Sequence, residues 1–92
     1  MALDLLDDYH LALEQAGIED KVSLLSVHLC GLDDEGEEVL EQLTSLRTHA
    51  YQSDARAARA ALIDVTIHLA RLHRHIRIAL PELQRQLNIP ME

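Results

Sequence analysis

The stretch that decides the fold is residues 55–80, ARAARAALIDVTIHLARLHRHIRIAL, which contains no Gly or Pro and is rich in Ala, Leu and Arg. These residues lose little side-chain freedom in a helix, so the stretch reads as one long helix. Leu62, Val65, Leu69, Leu72 and Ile76 recur at alternating steps of three and four, the seam spacing of a helix laid along another helix. Ala60, Ile63, Ile67 and Ala70 make a second apolar stripe on nearly the opposite side. A helix with two apolar faces needs two sets of neighbours. At 1.5 Å per residue it would extend about 39 Å, whereas a compact globule of this chain length has a diameter of roughly 32 Å. The expectation is therefore a second copy of the chain, with Leu62, Val65, Leu69, Leu72, Ile76, Ile63 and Ile67 at the interface.

Working outward, residues 2–16 read as a first helix, with Leu6, Tyr9, Leu13 and Ala16 on one side and Gly17 breaking it. Ile18, Val22, Leu25 and Leu29 predict a second helix over 18–30, ended by Gly31 in a left-handed cap. A third helix over 34–50 starts with a capping arrangement of Asp34 and Glu37 and buries Val39, Leu43, Leu46 and Ala50. Residues 52–54 form a joint, and Ser53 or Asp54 caps the long fourth helix over 54–80. Pro81 ends or kinks that helix and opens a short final one over 82–88, followed by a loose tail. The fold class is all-α: residues 1–92 form a single domain, a small helical bundle of four main helices plus a short C-terminal helix, completed by homodimerisation.

Composition agrees with that class. Apolar residues are 48% of the chain but aromatics only 2%, so the core must be aliphatic. No run approaches 18 consecutive apolar residues, which excludes a spanning helix. The start MALDLLDDYH lacks the basic, then apolar, pattern of a secretory leader, and a single cysteine, Cys30, forms no intrachain disulfide; both point to the cytoplasm. The formal charge of −8 is uneven: residues 1–54 carry a net −11 and residues 55–92 a net +3. An acidic first half and a basic last third are expected to face each other, within a chain or across a dimer.

Candidate chemistry is sparse. Glu38 and Glu41 stand at i and i+3, so their carboxylates share a helical face and could hold Mg²⁺. Asp64 and His68, at i and i+4, neighbour each other on the long helix, with Arg71 and His75 continuing that side. This line serves either as a hydrogen-bonded flank of the interface or as the other half of a metal site with Glu38 and Glu41. Arg56, Arg59, Arg71, Arg74 and Arg77 give the helix a basic side, which phosphates would favour through counterion release. The overall acidity and the absence of stacking aromatics make nucleic acid the weakest of the readings.

Two segments together resemble the all-α nucleoside triphosphate pyrophosphohydrolases of the MazG type. Glu37-Glu38-Val39-Leu40-Glu41 matches the EExxE pattern of that family, and ALIDVTIHLARL is similar to its ExxD helix, with Asp64 as the Asp and Ala61 in place of the Glu. The resemblance implies a helical dimer or tetramer in which Glu38, Glu41 and Asp64 hold Mg²⁺; the reading of the residues adds His68 to that set. The residues themselves favour a cytoplasmic, self-associating helical protein without catalytic residues or a cofactor, a homodimer first, able to offer an acidic face to a protein partner. A Mg²⁺-dependent pyrophosphohydrolase is the alternative.

Overall fold

A computed structural model of the chain describes residues 4–89. They form α1 (Leu5–Gln15), α2 (Leu24–Tyr51) and α3 (Ala55–Leu87), with a single 3₁₀ turn, Lys21–Ser23, leading into α2. No strand occurs among the described residues. The class is all-α as expected, but three helices replace the four main and one short helix read from sequence.

The start of α1 is set by Asp4, whose carboxylate accepts the Asp7 N–H at 2.9 Å; the expected first residues of this helix, 2 and 3, lie outside the described range. Gly17 ends it as anticipated. With φ +74, Gly17 lets its own N–H reach the Glu14 carbonyl and the Ile18 N–H reach that of Leu13. Ile18 then packs against the cluster that holds Leu13.

The expected helices over 18–30 and 34–50 are one helix that begins only at Leu24. Residues 18–23 are a connection, in which Val22 and Ser23 both take positive φ. Gly31 lies inside α2 instead of capping it. Its missing side chain makes room for a ring: a methyl at Gly31 would lie 2.4 Å from Cε1 and Nε2 of His75. Glycine here serves close approach between helices, at the helix-propensity cost of about 1 kcal/mol that any mid-helix glycine carries.

The joint at 52–54 is as expected. Ser53 turns left-handed, the Asp54 N–H closes on the His49 carbonyl, and the Asp54 carboxylate caps α3 through the Ala57 N–H. Of the stop or kink expected at Pro81, the stop is absent, because α3 runs through it to Leu87. Proline in a helix interior loses a hydrogen bond and costs about 3 kcal/mol, so tertiary contacts must offset it. Ala79 and Leu83 pack into the core cluster with Leu13, Leu25, Ile18 and Leu29. One turn on, the Gln86 amide accepts the Glu19 N–H and donates to the Glu19 carbonyl, both at 2.7 Å.

α2 and α3 form a long antiparallel hairpin. Its register is fixed by two contacts, His28 with His75 and Glu35 with His68. On α2 the inward series is Leu25, His28, Leu32, Glu35, Val39, Gln42 and Leu46; on α3 it is Ala58, Ala61, Val65, His68, Leu72, His75 and Ala79. Both repeat at alternating steps of three and four. Of these, Leu25, Val39, Ala61, Val65 and Ala79 are buried. This accounts for two of the residues expected at an interface between copies. Val65 and Leu72 do line a seam, but it lies within the chain. Leu62, Leu69 and Ile76 fall on a flank of it, and Ile63 and Ile67 face outward; all five are exposed. The apolar count had steered the seam away from positions 68 and 75 because they are His.

The resulting shape is long and flat, 49 × 41 × 18 Å, with a radius of gyration of 16.7 Å. A compact chain of this length would have about 12 Å.

Candidate functional site

The polar groups inside the hairpin come first, because a packed seam places them most firmly. The Nδ1 atoms of His28 and His75 are 2.8 Å apart and their ring centroids 5.1 Å apart, so the rings point these nitrogens head-on at each other. In that bond one Nδ1 donates and the other accepts. At 2.8 Å the two nitrogens are too close for a metal ion to lie on the line between them, since each metal–nitrogen bond needs about 2.0–2.1 Å.

Seven residues along each helix, His68 Nδ1 meets the Glu35 carboxylate, and Arg71 approaches the same group at 3.7 Å. The hydrogen bond from His68, joined by the charges of His68, Arg71 and His75, holds the Glu35 carboxyl below its ordinary range despite partial desolvation. Polar pairs set into a coiled-coil seam favour one register over its neighbours, because a slip by one layer leaves them buried without partners.

The residues singled out from the sequence are distributed differently. Glu38, Glu41 and Asp64 are exposed, and His68 is engaged with Glu35 instead of with them. Among the described residues no three His, Cys, Asp or Glu side chains are grouped so as to hold a metal ion. The donor set implied by the resemblance thus does not fit a Mg²⁺ site here. The line of His68, Arg71 and His75 is real, but its partners are Glu35 and His28. The signal for both was the heptad from Leu25 to Leu46, hidden by reading Gly31 as a helix end.

Other polar groups tie α1 to the hairpin. Tyr9 donates its hydroxyl to Asp33 at 2.5 Å, and this bond, helped by desolvation and the Asp33 charge, pushes the phenol up to about 12. The Cys30 thiol is pushed up by burial and by Asp34, Asp4, Asp33 and Asp8 around it, which keeps it in the unreactive protonated form at neutral pH.

Within the single chain, the expected facing of acidic and basic regions is only partly made. Arg71 with Glu35 is the one Arg–carboxylate pair that joins α2 to α3 among the described residues. Asp34, Glu37, Glu38 and Glu41 on α2, and Arg56, Arg59, Arg74 and Arg77 on α3, are exposed.

What remains is apolar surface. Leu40 is 68% exposed, Leu62 and Ile63 52% each, Leu69 49% and Ile67 45%. Leu62, Ile63, Thr66 and Ile67, with Arg59, line a shallow depression of about 260 Å³. No helix among the described residues is long and apolar enough to cross a membrane. Compared with family models, curated proteins and solved structures, the chain matches none.

Proposed function

We propose that this protein is a self-associating helical-hairpin module that acts by binding other chains rather than by catalysis. One observation carries the reading. The chain exposes 6914 Å², whereas a compact protein of 10.4 kDa exposes about 5400 Å². The excess of about 1500 Å² is more than the roughly 800 Å² that each partner buries in a standard stable interface. Much of it is Leu and Ile on α3, a composition that water disfavours and a second protein surface would cover. The first partner is a second copy of the chain. The acidic outer side of α2, with Asp34, Glu37, Glu38 and Glu41, stays free in such an assembly to meet a basic protein partner. A lone, unreactive thiol suits a reducing compartment, and the cytoplasm is the proposed location.

Light scattering after size exclusion tests the reading. The expected mass is twice 10.4 kDa at tens of micromolar. A folded species that stays at the single-chain mass across that range overturns it. In the same samples, Mg²⁺ with nucleoside triphosphates is expected to leave thermal stability unchanged; a stabilised fold would instead favour the pyrophosphohydrolase reading, since a ligand that prefers the native state must raise its stability.

A further inference from the structure

The exposed apolar residues do not form one surface. On α2, Leu29, Gly36 and Leu43 repeat at steps of seven, and on α3 so do Leu62, Leu69, Ile76 and Leu83. In a two-helix coil, residues seven apart share a side. Leu29 and Leu83, at the open end of the hairpin, are packed against the cluster of Leu13, Leu25 and Ala79. These two series therefore mark the side on which α1 lies, and α1 covers only one end of it.

The other end of that side, toward the joint at 52–54, has nothing over it among the described residues. Leu40 and Leu43 on α2 and Leu62 and Leu69 on α3 line it, with Gly36 keeping α2 low. We infer that this half-face, shared by both helices, is the seat of a second copy of the chain, so that two hairpins laid face to face make a four-helix bundle with an α1 at each margin. The inference rests on the self-association proposed above and assigns its surface.

Two alternatives are less suitable for an isologous contact, in which each surface must meet itself. The opposite flank carries Glu38 and Asp64, both exposed, beside Arg71. The back of α3 has Ile63, Ile67 and Ala70 interleaved with Arg56, Arg59, Arg74 and Arg77; pairing it with its own copy would bring several guanidinium groups together. The central residues of the proposed seat are uncharged. The surplus area found above is large enough to supply such an interface.

Sedimentation equilibrium on Leu62→Asp, Leu69→Asp and Leu40→Asp, beside Ile63→Asp and Ile67→Asp, tests the assignment. The first three are expected to fall from twice 10.4 kDa to 10.4 kDa with helical circular dichroism unchanged, since these side chains are already exposed in the single chain; the last two are expected to keep the doubled mass. The reverse pattern overturns the seat while leaving self-association intact, and an unassociated wild type overturns both. A second measurement avoids any loss of folding. In a Cys30→Ser background, a thiol placed by Leu69→Cys should be alkylated more slowly as protein concentration rises, while one placed by Ile63→Cys should not. Equal protection at both positions, or protection only at 63, overturns the assignment.

Discussion

Gly31 and Gly36 sit five residues apart in α2, and a methyl group at each meets opposite surroundings. At Gly31 it meets the His75 ring at 2.4 Å, and at Gly36 it meets nothing within 4 Å. Because His75 is held by His28, its ring cannot swing away without breaking that bond. Gly31→Ala is thus expected to destabilise the hairpin by about 1–3 kcal/mol, the usual cost of overpacking. Gly36→Ala is expected to stabilise it by about 0.5–1 kcal/mol through reduced backbone freedom in the unfolded chain. Urea unfolding at low protein concentration, followed by circular dichroism, reads both. The same residue type therefore has two meanings, and only the ring across the seam separates them.

At the scale of an element, α2 begins where Asp20 allows it to. The Asp20 carboxylate accepts the N–H groups of Leu25 at 2.6 Å and Ser26 at 3.1 Å, and the Ser26 hydroxyl at 2.5 Å. Burial pushes this carboxyl up, but the bonds from Ser26 and Leu25, with His10 nearby, outweigh it and hold the group below its ordinary 3.8. A carboxyl whose value is lower in the folded chain contributes stability that is complete above 3.8 and disappears as pH falls through the depressed value. Asp20→Ala is expected to cost about 1 kcal/mol at neutral pH, as for a lost helix cap. The gap between variant and wild type should close as the pH falls through the depressed value, below which the carboxylate is protonated in both states; urea midpoints at neutral and at acid pH measure it, and a gap that persists in acid would show that lost packing is responsible.

At the scale of the whole molecule, a hairpin with one short helix across its end has too little interior to bury its own apolar residues. Buried hydrophobics are confined to Leu13, Leu25, Val39, Ala61, Val65 and Ala79 among the described residues, and two of the three on α3 are alanines. Association would add the missing burial, and anything that binds only the folded form raises apparent stability by mass action. The thermal midpoint is accordingly expected to rise with protein concentration for the wild type and to stay constant for Leu69→Asp. A wild-type midpoint independent of concentration would mean that the single chain is sufficient.

The amino-acid sequence by itself determined the helical class, the break at Gly17, the joint at 52–54 with its cap at Ser53 or Asp54, and the surplus of apolar surface along residues 55–80. Each is written in local chemistry: propensity, a positive φ that glycine accepts, a side-chain oxygen near free N–H groups, and a stripe at helical spacing. Tertiary structure decided what depends on a residue far along the chain. Gly31 continues its helix because His75 needs the space, Pro81 stays helical because Gln86 and Leu83 are anchored beyond it, and the seam accepts His68 and His75 because Glu35 and His28 stand opposite. A polar or helix-breaking residue is a local liability, and its offset lies in a partner some 30 to 70 positions away, which no local pattern records.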